Sequence, residues 1–136
     1  MPRILQQAGA IPFRLREGEL EVLLVTSRSS GDWIVPKGMV DPGLTAPEAA
    51  ELECEEEAGV RGSLGPLIGY VETAKARIAV YTLEVNQELD DYLERGERRR
   101  RWFSAKDAAD KVRDRELSGL IKQLRRQFRL QTPPTG

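Results

Sequence analysis

Apolar and polar positions along the chain fall into short blocks that predict strands, then a helix, more strands and two closing helices. Residues 7–15, QAGAIPFRL, predict a strand, with Pro12 indicating an edge or a bulge because it brings no N–H to a ladder. A turn over residues 16–19 leads into residues 20–27, LEVLLVTS. That continuous β-branched and leucine-rich run has the pattern of a strand buried on both faces, and it is read as the centre of the sheet. After a turn at residues 29–32, Trp33, Ile34, Val35 and Pro36 make a short strand that delivers Lys37 and Gly38 to the next segment.

That segment is GMVDPGLTAPEAAELECEEEAGV, residues 38–60, a loop running into a very acidic helix. Thr45 with Glu48 reads as a capping box, Pro47 is tolerated in a first turn, and Gly59 supplies the left-handed stop, so the helix is expected over residues 46–58. Beyond it, SLGPLIGYVET and ARIAVYTLEV predict two strands joined as a hairpin through Lys75 and Ala76. Residues 86–97 form an acidic connection, residues 98–101 are four arginines ending in Trp102 and Phe103, and Ser104 with Asp107 caps a short helix. The final helix carries Leu117, Leu120, Ile121, Leu124 and Phe128 on one stripe. The order of elements implies an α/β fold, a mixed sheet covered by helices on both faces in an α/β/α sandwich. Residues 1–130 are expected to be a single domain, and residues 131–136 a disordered tail.

On the acidic helix, Glu53, Glu56 and Glu57 fall at spacing i, i+3, i+4 and gather on one arc beside Ala49. Glu48, Glu51 and Glu55 form a second arc, which reads as a solvated face. Pro47, Ala50, Cys54 and Ala58 form the apolar stripe expected to pack on the sheet. Three carboxylates within one turn repel one another and raise each other's pKa unless a cation sits between them. A hard divalent cation such as Mg2+ or Mn2+ takes oxygen ligands and is commonly shared with substrate phosphates. The trio beside a glycine-rich loop therefore points to metal-assisted phosphoryl chemistry.

Here the sequence resembles the Nudix hydrolases, whose box reads G-x(5)-E-x(7)-R-E-U-x-E-E-x-G-U. The chain matches at Gly38, Glu53, Cys54 (loosely), Glu56, Glu57, Gly59 and Val60, and departs where Leu44 replaces the first Glu and Leu52 the Arg. The words DWIVPKGMVDPG, EEAGVRGSLG, VYTLEV and RRWF resemble the diphosphoinositol polyphosphate phosphohydrolase branch, which also includes dinucleoside polyphosphate hydrolases. The resemblance implies the same sandwich fold, with Gly38, Glu53, Glu56 and Glu57 holding Mg2+ or Mn2+. It also implies hydrolysis of a phosphoanhydride by water, with Glu53 the favoured base. Losing an acid and the Arg together leaves no orphaned charge, so Leu44 and Leu52 are read as a compensated apolar pair. On that reading Leu52→Arg alone should destabilise the chain.

Charge narrows the partners. Lys and Arg number 21 against 22 Asp and Glu, so the net charge of -1 favours neither nucleic acid nor a membrane. A lone cysteine excludes an intramolecular disulfide, and no histidine exists to act as a base. The start MPRILQQ lacks a signal core, and a cytoplasmic protein is expected. Arg14, Arg28, Lys37, Lys75, Arg77 and Arg101 are the candidate substrate-binding cations, because guanidinium binds phosphate oxygens bidentately. If residues 98–101 lie on a strand, at most two of the four arginines face one ligand, and a solvated edge is the competing account.

The expected partner is a small phosphoanhydride: a dinucleoside polyphosphate, favoured by the number of cations, or an inositol pyrophosphate, a nucleoside diphosphate sugar or an RNA 5′ triphosphate. Two other classes fit the same residues. One is a nucleotide-binding regulatory module without turnover. The other is an RNA-end-processing protein, with nucleic acid the less favoured partner.

Overall fold

The structure is a computed structural model describing residues 3–131; the expected tail past Gln131 lies outside the described residues. Strands β1 (Leu5–Arg16), β2 (Glu19–Thr26), β3 (Trp33–Ile34), β4 (Lys37–Met39), β5 (Val60–Glu72), β6 (Ala76–Glu88) and β7 (Arg100–Ser104) share one sheet. Helix α1 (Ala46–Ala58) lies on one face, and α2 (Ala105–Lys111) and α3 (Arg115–Gln131) lie on the other.

Strand β1 organises the sheet. One of its edges runs parallel to β6 from Leu5 to Phe13, and the other pairs antiparallel with β4 and then with β2. The sheet is therefore mixed, and its centre is β1 rather than the apolar run of β2, which β7 covers on its far side. Pro12 sits fully buried inside the sheet, neither at an edge nor in a bulge. The ring is accommodated because it falls at a changeover: Ala10 N–H donates to the Pro36 carbonyl, and pairing with β2 begins only at Phe13. Glu17 and Gly18, both at positive φ, close the β1–β2 hairpin.

Alternation along the strands divides the core as strand geometry requires. Ala8, Ala10, Leu23, Val25 and Leu83 meet Ala49, Ala50, Cys54 and Ala58 of α1. Ile11, Phe13, Val22, Leu24, Ile78 and Val80 meet Ala108, Leu117, Ile121 and Leu124. Helix α1 has the local chemistry expected of it, with both halves of the capping box made between Thr45 and Glu48. Its buried set keeps Ala50, Cys54 and Ala58 of the expected stripe, leaves Pro47 half-buried and adds Ala49 and Glu57, and burial pushes the Cys54 thiol well above its ordinary range.

At the other end of α1, Gly59 is left-handed (φ 63°) and closely covered: a Cβ there would run into the Tyr92 ring and come within 2.7 Å of the Arg100 guanidinium. Gly59→Ala is expected to cost about 1–3 kcal/mol, combining left-handed strain with that clash. Urea denaturation measures it, and a change below a few tenths of a kcal/mol would refute the account.

Candidate metal and phosphate site

The acidic residues converge where the C-terminal half of α1 meets β4 and the β6–β7 connection. Gly38 lets α1 approach, since a Cβ at that position would lie 2.5 Å from the Glu53 carboxyl carbon. Next to it, the Lys37 N–H donates to Glu57 Oε1 at 3.2 Å. The connection is drawn in by Glu94 N–H donating to the Glu56 carbonyl at 2.9 Å. Carboxylate oxygens of Glu53, Glu57 and Glu94 thereby lie within 4.8 Å of one another.

Glu94 was not legible as a site residue, and Glu56 is not in this trio. The helical spacing puts Glu56 close enough to feel the charge of Glu53, but its carboxylate is not among those lying within 4.8 Å of one another. Slight burial, then Glu53 and Glu94, still raise its pKa. No feature of the 86–97 stretch singles out Glu94 among its acidic neighbours; its position follows from the backbone bond to Glu56.

Glu57 is the electrostatic centre. It is 4% exposed, and its pKa is pushed up to about 8, first by burial and then by a hydrogen bond shared with Glu53. Arg98 and the Lys37 amide pull the other way without overcoming burial. Arg98, also nearly buried, stands 3.7 Å from Glu57 Oε2, donates Nε–H to Glu94 Oε1 at 3.0 Å, and donates Nη1–H to the Thr26 carbonyl at 3.0 Å. Two guanidiniums thus meet the cluster, Arg98 at Glu57 and Glu94 and Arg28 at Glu94. A donor set made only of carboxylate oxygens fits a hard divalent cation.

The arginine run splits between structure and surface. Arg100 donates to the carbonyls of Ala58, Gly59 and Leu89, closing the C-terminus of α1, where a cation is also favoured by the helix dipole. Trp102 continues that face and packs on the α1 side, while Arg101 lies with Phe103 on the other, its guanidinium 5.8 Å from the ring.

The remaining expected cations scatter. Arg28 reaches the cluster's rim, 3.7 Å from Glu94 and 3.2 Å from Glu97. Lys37 lines a mostly apolar cavity of about 170 Å³ with Ile34, Val71, Ile78 and Val80, and with Asp114 as its acidic member. Lys75 is exposed at the β5–β6 turn. Arg77 pairs with Glu72 at 3.4 Å and lies over the Tyr70 ring. Arg14 is not brought to the cluster. It is engaged by Glu21, Glu88 and the Trp102 ring, six positions along β1 from the residue paired with Gly38, roughly 20 Å away.

Leu44 and Leu52 line one groove on the outside of α1, but Leu52 is 37% exposed and shares the groove with Glu48, Glu51 and Glu55. The expected cost of Leu52→Arg is therefore corrected. An arginine there stays hydrated and meets Glu48 and Glu51 as well as Arg61, which already pairs with Glu55, so stability should change by no more than about 0.5 kcal/mol in urea denaturation.

Residues 5–124 match the NUDIX domain, and the chain belongs to that family. Diphosphoinositol polyphosphate phosphohydrolase 2 of Rattus norvegicus is 44% identical over 108 residues, covering 76% of this chain and 60% of that protein. Nudix hydrolase 12, mitochondrial, of Arabidopsis thaliana is 32% identical over 155 residues, covering 92% of this chain and 76% of that protein. The chain thus spans about three fifths of the length of the phosphohydrolase relatives it matches. Among solved structures, the NUDIX domain of Shewanella oneidensis NrtR complexed with ADP ribose superposes with a TM-score of 0.75 at 19% identity, covering 93% of this chain and 90% of that one. The C. elegans Ap4A hydrolase gives 0.65 at 23%, covering 90% and 96%. These likenesses establish the fold. Among the described residues, no helix is long and apolar enough to cross a membrane.

Proposed function

We propose that this chain hydrolyses a phosphoanhydride, using Mg2+ or Mn2+ held by Glu53, Glu57, Glu94 and the Gly38 carbonyl, with dinucleoside polyphosphates as preferred substrates. The observation that carries the reading is the convergence of three carboxylates within 4.8 Å beside Gly38. A divalent cation bound there would polarise the phosphoryl oxygens and offset charge on the leaving phosphate.

The chain's own groups supply the rest. Glu53, half-buried and close to Gly38, takes the proton from the attacking water as its oxygen bonds to phosphorus and the anhydride P–O bond breaks. Glu56, with its raised pKa, is the alternative base. The Lys37 amide and Arg98 hold Glu57 and Glu94 in place, and Arg28 stands at the rim to meet phosphate oxygens.

Substrate preference is read from Lys37, whose amide touches the cluster and which also lines an apolar cavity. The cavity lies on the α3 face of the sheet, shares Lys37 with the cluster, and is lined by apolar groups with Thr73 and Asp114, a lining that suits a nucleobase better than a fully phosphorylated cyclitol. Diphosphoinositol polyphosphate phosphohydrolase and Ap4A hydrolase, both named among the similar proteins, represent these two substrate types. The test compares kcat/KM for diadenosine tetraphosphate, a diphosphoinositol polyphosphate, ADP-ribose and an RNA 5′ triphosphate at fixed Mg2+, with products identified. The dinucleotide should lead, and chelation should abolish turnover. A wild type preferring ADP-ribose would reject the substrate assignment.

A second reading, a nucleotide-binding module without turnover, is favoured by Arg98, a cation of the chain itself placed against Glu57 and Glu94. Nucleotide affinity with no product under any divalent cation would select it.

A further inference from the structure

The largest group of unpaired cations lies on the face of the molecule away from α1. Helix α3 places Lys122, Arg125, Arg126 and Arg129 at i, i+3, i+4 and i+7, a single file about 10 Å long. Lys106 of α2 joins them around a cleft of about 330 Å³ floored by Ala105 and Ala109, with Asp110 as its one acidic member. Among the described residues, none of these five cations takes part in an ion pair, whereas Arg14, Arg28, Arg61, Arg77, Arg98 and Arg113 all do. Like charges three and four residues apart on a helix repel, so the file is destabilising until an anion lies along it.

We propose that the α2–α3 cleft is a second, non-hydrolytic site that binds a linear oligophosphate. The single file selects a chain over a compact anion, because one phosphate reaches only adjacent cations whereas a chain engages all four. Arginine forks grip successive phosphate oxygens bidentately, and the alanine floor leaves room for the chain to lie down. The cleft has no aromatic lining on which bases could stack, which separates a bare phosphate chain from single-stranded nucleic acid. Its position across the sheet from α1 separates it from the carboxylate cluster, so a substitution in that cluster serves as the control.

Calorimetry on the full chain in EDTA tests this with tripolyphosphate, a longer inorganic polyphosphate and a single-stranded RNA of matched phosphate number. The proteins are wild type, Glu57→Gln, the quadruple variant Lys122→Gln/Arg125→Gln/Arg126→Gln/Arg129→Gln, and a triple variant keeping the half-buried Arg125 in case the quadruple variant unfolds. Wild type and Glu57→Gln should bind polyphosphate alike. The cleft variants should bind at least about tenfold more weakly, with the wild-type affinity falling as salt rises. Hydrolysis is assayed separately with Mg2+, and kcat/KM should be unchanged in the cleft variants, so failure of this site and failure of the proposed activity read out apart. Binding lost in Glu57→Gln but kept in the cleft variants would overturn the proposal. Tighter binding of RNA than of polyphosphate would also overturn it, as would no binding to wild type.

Discussion

Glu57→Gln is expected to lower metal-dependent turnover by about a hundredfold or more, the scale on which removal of one preorganised charged group is felt, while leaving the fold intact. Its carboxylate is the most buried of the cluster, held by the Lys37 amide and Arg98, and glutamine keeps its shape while removing the charge that would hold the cation. Glu53→Gln should behave similarly. Comparing Glu94→Gln with Glu56→Gln then decides the third ligand. If Glu94 completes the site, its variant should need more Mg2+ for half-maximal rate than wild type. Glu56→Gln should leave that requirement unchanged and alter the pH profile, if anything. The reverse order would restore the trio read from helical spacing alone, and full activity in a folded Glu57→Gln would remove the cluster from the mechanism.

That comparison bears on how much of the site the sequence disclosed. The bounds of α1, its capping box and its left-handed stop were legible because each depends on residues within four positions of one another. The two-faced burial of β2 was legible for the same reason, since an unbroken apolar run is local, and so were the helices on both faces. Pro12 misled because its placement depends on where β1 exchanges β4 for β2, a property of three strands together. Glu94 and Arg98 were missed as site residues because their roles arise from folding a long connection back over the end of α1. Read as sequence, residues 98–101 divide at most into two alternating pairs of charges. In the fold, Arg98 serves the carboxylates, Arg100 the carbonyls of α1, and Arg101 lies across the sheet. The divergence at Leu52 is likewise tolerated for a reason that spacing could not give: the position is half-open to water.

The metal-free protein should lose stability as pH rises from about 4.5 to about 8, contrary to the usual behaviour of a carboxylate held by cations. Glu57 has an ordinary value of 4.5 when unfolded and is pushed up to about 8 when folded. Between these values the native state binds a proton that the unfolded state has released. Stability therefore decreases with pH across the window and levels off above the folded value. The slope cannot exceed about 1.4 kcal/mol per pH unit for one group, and the total is on the order of a few kcal/mol. The chain contains no histidine, so the side chain that ordinarily dominates titration in this range does not contribute. Denaturant midpoints in EDTA at pH 5.5, 7 and 8.5 should fall in that order. In Glu57→Gln the trend should flatten and the pH 8.5 midpoint should exceed that of wild type, because an uncharged amide no longer carries a buried charge. Saturating Mg2+ should restore wild-type stability at high pH and do little for the variant, since a cation on the cluster favours the ionised form. A wild-type midpoint that rises with pH in EDTA would show that Arg98 and the Lys37 amide keep Glu57 ionised in the folded protein.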